Sequence, residues 1–133
     1  MSLYINSPSY YSHIHGVDDE IYKMCSLICK NINIKNYTSK LDSIGITPII
    51  APINVIEKGL FKEVKKISLT YRFAALSLHI DYEKYLYGDI ERQKSLILDN
   101  IFRSLMVVKK RLGASFDYDG LEKDILLIIS NNI

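Results

Sequence analysis

The stretch from Asp89 to Gly113 constrains this chain more than any other. Ile90, Ile97, Ile101, Leu105, Val108 and Leu112 recur at helical spacing, and Leu98, Phe102 and Met106 widen the stripe. Asp89 is placed to cap the first turn, Lys109, Lys110 and Arg111 oppose the dipole in the last, and Gly113 is suited to end the helix. A helix this long with one apolar face must lay that face on a complementary surface. The rest of the chain has to supply it.

β-prone runs offer that surface. Leu3, Tyr4 and Ile5 form a short strand stopped by Asn6, Ser7 and Pro8. The segment holding Ile44, Ile46, Ile49 and Ile50 is β-branched but interrupted by Pro48, which predicts an edge or a bend. From Leu60 to Asp81 the pattern is β again. Ile67, Leu69, Tyr71 and Phe73 alternate, then Leu76, Leu78 and Ile80 alternate on the opposite parity. That phase change fits either a bulge at Ala74 and Ala75 or two strands joined tightly.

Two further helices are expected. One opens at Asp18 or Asp19 and carries Ile21, Cys25, Ile28 and Ile32 on its apolar face; the other starts near Asp117 or Asp119 and runs through Leu121, Ile125 and Ile128. The element order lacks regular βα alternation. The predicted class is therefore α+β, with helices packed on one face of a mostly antiparallel sheet. At 133 residues with no evident linker, a single domain over residues 1–133 is expected.

Composition narrows the function classes. Seventeen basic and 15 acidic residues leave a net charge of +2, too balanced for a dedicated nucleic-acid binder. Cys25 and Cys29, four apart on one helix face, read as buried thiols in a reducing compartment. No signal-peptide pattern is evident, and the longest apolar run, Ile125 to Ile129, is far too short to span a membrane. The expected location is the cytoplasm, with no membrane association.

Chemistry is nearly absent. No nucleophile sits beside a base, no glycine loop is shaped for a phosphate, and no ligand set has metal spacing, so no catalytic residue, cofactor or metal is expected. His13 and His15 with Cys25 and Cys29 lack the spacing of a structural zinc site. His79 points away from the face of Leu78 and Ile80 and has no identifiable orienting partner. Asp117, Asp119, Glu122 and Asp124 read first as helix-start carboxylates. Lys62, Lys65 and Lys66 read as charge on a strand edge. What remains is aromatic. Ten tyrosines against four phenylalanines favour the rings enriched at interfaces. The candidate partner-binding residues are Tyr10, Tyr11, His13 and His15 in one loop, and Tyr82, Tyr85 and Tyr87 where strand gives way to helix.

The block YRFAALSLHIDYEKYLYGDIERQKSLILDNIFRSL, followed by KKRLGASFDYDGLEKDILLI, resembles small bacterial immunity proteins of polymorphic-toxin and contact-dependent growth-inhibition systems. The matching elements are Ile80-Asp81-Tyr82 leading into a long helix, Phe116-Asp117, and Asp124-Ile125-Leu126. The resemblance implies a cytoplasmic, non-enzymatic protein that binds one cognate toxin domain, often a nuclease, and blocks it without itself contacting nucleic acid. Two other readings stay open. One is a small nucleic-acid-associated protein or enzyme using His79 or the lysine-rich faces; the other is an oligomerisation module built on the long helix.

Overall fold

The computed structural model describes residues 1–10, 18–59 and 62–132. The first half contains β1 (Leu3–Ile5), β2 (Ser9–Tyr10), α1 (Asp19–Asn31), β3 (Ser43–Ile46), β4 (Ile49–Ala51) and the short α2 (Ile53–Glu57). The second contains β5 (Val64–Ser68), β6 (Phe73–Ser77), β7 (His79–Asp81), the short α3 (Tyr82–Leu86), the long α4 (Ile90–Leu112) and α5 (Tyr118–Asn131).

Four strands lie in the order β1-β3-β6-β5, and three more in the order β2-β4-β7. Each strand of the second set continues one of the first after a short gap, at residues 6–8, 47–48 and 78. Backbone hydrogen bonds carry the ladder over the gap: Asn6 N–H to the Ile46 carbonyl (2.8 Å), Thr47 N–H to Leu76 (2.9 Å) and Ile49 N–H to Leu78 (3.0 Å). The two sets therefore form one sheet with a crease. Pro8 and Pro48 lie on that line, where each removes a ladder donor. Pro48 marks a bend and not an edge, because β3 is paired on both sides.

The α+β class stands, but the sheet is mixed and not mostly antiparallel. β1–β3, β3–β6, β2–β4 and β4–β7 are parallel, and only β5–β6 is antiparallel. The physical reason lies in the connections. Parallel neighbours need a long crossover, which α1 supplies between β2 and β3, and the segment of α2 and β5 supplies between β4 and β6. The phase change resolves as two strands and not a bulge at Ala74 and Ala75: Leu69 and Tyr71 lie in the turn before Phe73, and β6 is regular from Phe73 on. β5 and β6 form a hairpin whose turn ends at Arg72, with φ of 60°. That left-handed backbone is unfavourable for a side chain other than glycine. It is held by Arg72 Nε to Asp42 (3.2 Å), Arg72 Nη2 to the Ser39 carbonyl (2.7 Å) and Asp42 N–H to the Arg72 carbonyl (2.7 Å).

Leu3, Ile44, Ile46, Ala74 and Leu76 turn one sheet face inward, where they join the buried sides of α1, α4 and α5 in one cluster. The caps fall where the sequence places them. Asp18, Asp89 and Asp117 accept from the N–H groups of Glu20, Arg92 and Gly120, and Gly113 ends α4. Lys109 Nζ reaches the carbonyls of Gly113 (3.0 Å) and Phe116 (2.8 Å), tying the end of α4 to the start of α5.

Two polar residues share the buried face of α4, Asn100 and Ser104, both fully buried. Asn100 Nδ2 donates to the Leu78 carbonyl (2.8 Å), at the crease. Asn100 Oδ1 and Ser104 Oγ find no partner among the described residues. The two positions therefore differ in what they hold. Asn100→Ala should cost about 1–3 kcal/mol by loss of a buried bond and of packing, whereas Ser104→Ala should change stability by less than about 0.5 kcal/mol or raise it. Urea denaturation of both variants checks this; equal losses would contradict it.

Candidate functional site

Because β2, β4 and β7 run parallel, the segments leaving their carboxyl ends emerge along one edge of the sheet. Register aligns Tyr10 with Ile50 and Ile50 with Ile80. Tyr10 and Ile80 thus lie two strand spacings apart, about 10 Å. β2 leads into residues 11–17, β4 into Pro52 and α2, and β7 into α3. Topology thereby brings Tyr10 and the start of α3, far apart in sequence, to the same edge. Crevices outside the carboxyl ends of parallel strands are common ligand positions.

The individual side chains divide. Asp81 caps α3, its carboxylate accepting from Lys84 N–H (3.4 Å). Tyr87, at the end of that helix, is 83% exposed. Tyr82 is half-buried and packs against the core. Tyr85, expected on the contact surface, is instead a core residue at 5% exposure; one helical turn from Tyr82, it faces inward toward β7 and α4. Its carbonyl accepts from Gln93 Nε2 (3.0 Å), which locks α3 to α4. Tyr10 is placed on β2 by its backbone. Tyr11, His13 and His15 lie outside the described residues.

The side chains that could have carried acid–base chemistry have structural partners. His79 Nε2 bonds the Ala51 carbonyl (2.6 Å), pinning β7 to β4. The backbone of His79, on the outer edge of β7, is closed from both sides: its N–H donates to Glu63 Oε2 (2.8 Å) and its carbonyl accepts from Arg103 Nη2 (3.0 Å). Side chains here replace a missing strand and block further pairing. Asp124 accepts from the Tyr37 hydroxyl (2.5 Å) and Glu122 from the Tyr118 hydroxyl (2.8 Å), so the carboxylates of α5 anchor tyrosines. Among the described residues no group of three or more His, Cys, Asp or Glu side chains is arranged to hold a metal ion, and no helix is long and apolar enough to cross a membrane.

Sequence reasoning missed the Glu63–His79–Arg103 closure and the polar pair on α4. The signal for the pair was present, since Asn100 and Ser104 fall on the periodic stripe of Ile97, Ile101, Leu105 and Val108. The closure joins residues from three elements and left no local trace.

Cys25 and Cys29 lie on α1 as free thiols. Burial pushes Cys25 up to about 12, with the neighbouring Cys29 adding to it, and burial likewise raises Cys29. Burial also raises the Tyr37 phenol, helped by its bond to Asp124. A group whose folded pKa is raised stabilises fully below its unfolded pKa, and that contribution is lost as pH climbs towards the folded value. Unfolding free energy should thus fall by about 2 kcal/mol or more between pH 7 and pH 10.5. Cys25→Ala should show a shallower fall in the same denaturation series. A flat profile in the parent chain would mean the thiols are open to water.

The family model described as immunity protein 44 matches residues 1–131, nearly the whole chain. The chain belongs to that family, which places it among the immunity proteins of polymorphic toxin systems. No curated protein and no solved structure matches it.

Proposed function

We propose, proceeding from that membership, that this chain binds a cognate bacterial toxin domain one to one and neutralises it by covering its active or substrate-binding site. The toxin class we propose is a nuclease of a contact-dependent growth-inhibition system, met in the cytoplasm by the whole chain acting as a single domain. Inhibition needs no enzymatic step and no nucleic-acid contact by the immunity protein. The observation that carries this reading is the match over residues 1–131.

The contact residues proposed are Tyr10, Tyr11, His13 and His15 on one side of the carboxyl edge, with Tyr82 and Tyr87 on the other. Support comes from the parallel pairing that sets Tyr10 and the end of β7 at that edge and from the exposure of Tyr87. Rigid aromatic rings give large contact area at low entropic cost, and such anchors dominate interface energetics. Tyr85 has a different part, holding α3 in place from inside.

Co-expression of this chain with its cognate toxin domain should restore growth to cells that the toxin alone kills. In binding measured with a catalytically inactivated toxin domain, Tyr87→Ala should weaken affinity about tenfold or more, with the melting temperature unchanged. Growth arrest despite soluble, abundant immunity protein would refute the function. Unchanged affinity of Tyr87→Ala would remove that residue from the contact.

A further inference from the structure

The helices cover one face of the sheet, and the other face has an unusual floor. Register sets Tyr4, Gly45, Ala75 and Lys66 in one row across β1, β3, β6 and β5. Ser43 and Phe73 lie side by side before that row, Thr47 and Ser77 beyond it. These residues alternate with the buried Ile44, Ile46, Ala74 and Leu76 and are all exposed or half-exposed.

Gly45 is the informative position. It sits in the interior of a strand paired on both sides. Its backbone is outside the left-handed region, so conformation does not demand glycine. Packing does not demand it either: a Cβ built there meets only the Ala74 carbonyl oxygen, at 3.9 Å, an ordinary contact. Glycine weakens a strand, so its presence where a Cβ would meet only an ordinary contact points to something else approaching the backbone closely. Small neighbours at Ser43 and Ala75 extend the clearing, and Tyr4 (41% exposed) and Phe73 stand beside it as apolar walls.

Charge says what approaches. Residues 35–77 hold seven of the 17 basic side chains and three of the 15 acids, a local charge of +4 against −2 for the remainder. Two of those acids are engaged: Asp42 with Arg72 and Lys35, and Glu63 with the His79 backbone. Lys62, Lys65 and Lys66 are exposed, and among the described residues no ion pair joins them. Lys66 rests 5.6 Å above the Phe73 ring, at the margin of the clearing. A second copy of this chain would bring lysine to lysine along β5, which is disfavoured.

We propose that this outer face, centred on Gly45, docks a carboxylate-bearing patch of the toxin domain, a contact separate from the tyrosine edge. The proposal rests on the immunity function above and adds where a second part of the contact falls and what charge it meets. An acidic patch on a nuclease lies apart from its cationic substrate groove or at metal-binding carboxylates. Lys66, which shares the face of Ala75 whereas Lys65 lies opposite it in register with Leu76, would meet the carboxylates, and the clearing at Gly45 would admit a protruding side chain against the β3 backbone.

The test is calorimetric binding of the inactivated cognate toxin domain, at low and high salt. Gly45→Tyr adds a side chain on an exposed-to-half-exposed face where its Cβ meets only an ordinary contact, so it should keep the parent melting temperature and weaken binding at least about tenfold. The variant Lys66→Glu keeps the test decisive if the first fails to fold; it should weaken binding several-fold, about tenfold at low salt, and flatten the salt dependence. Folded variants that bind as the parent does would overturn the docking face while leaving the immunity function intact. Failure of the parent chain itself to bind would overturn both. A single-stranded oligonucleotide that binds the parent and is lost in these variants, with toxin affinity unchanged, would assign the face to nucleic acid and overturn the proposal.

Discussion

Burial of the apolar side of α4 against the inner face of the creased sheet is the contact on which the other elements depend. Ile97, Ile101, Leu105 and Val108 are essentially without solvent exposure, and Asn100 among them bonds the Leu78 carbonyl at the crease itself. Apolar burial of this kind is the main favourable term in folding. α4 packs over β5, β6 and β7, α1 over β1, and α5 against both helices, completing one cluster that reaches from Leu3 to Ile125. On the outer face the row of Tyr4, Gly45, Ala75 and Lys66 stays exposed or half-exposed, while Ile49 and Ala51 further along are buried.

That one-sidedness decides where function can reside. Among the described residues several titratable groups hold the frame: His79 on Ala51, Glu63 and Arg103 on the open edge of β7, Asp124 on Tyr37, Glu122 on Tyr118. Two of the surfaces that stay open are the carboxyl edge, with Tyr87 exposed on it, and the clearing around Gly45. Both are shapes suited to another protein. An inhibitor that works by contact, as proposed for this member of an immunity-protein family, needs a rigid frame that presents such shapes.

Much of the frame was legible in the sequence because it follows from local rules. The long helix, its Asp89 cap and its Gly113 stop come from periodicity and capping chemistry within one segment, and α1 and α5 likewise. Strand direction was not legible. Parallel pairing of β1, β3 and β6 is decided by crossovers between distant segments, and the short α2 inside one of them, with five residues, carries too little periodicity to be seen. The crease was half legible, since Pro48 announced a break without saying that both neighbours break beside it. At the candidate site, alternation of exposure along α3 separated Tyr87 from Tyr85, a distinction that three tyrosines in six residues do not reveal by type. Gly45 gave no signal at all, because a strand glycine acquires meaning only when the space above it is known.

Hydroxyl-radical footprinting of the chain, free and bound to the inactivated toxin domain, tests most directly whether these surfaces meet the partner. Tyr4, Phe73 and Tyr87 should lose reactivity in the complex, while Tyr22, 64% exposed on α1, stays as reactive as in the free chain. Protection of Tyr22 with Tyr4, Phe73 and Tyr87 unchanged would place the toxin on the helical side and contradict the account.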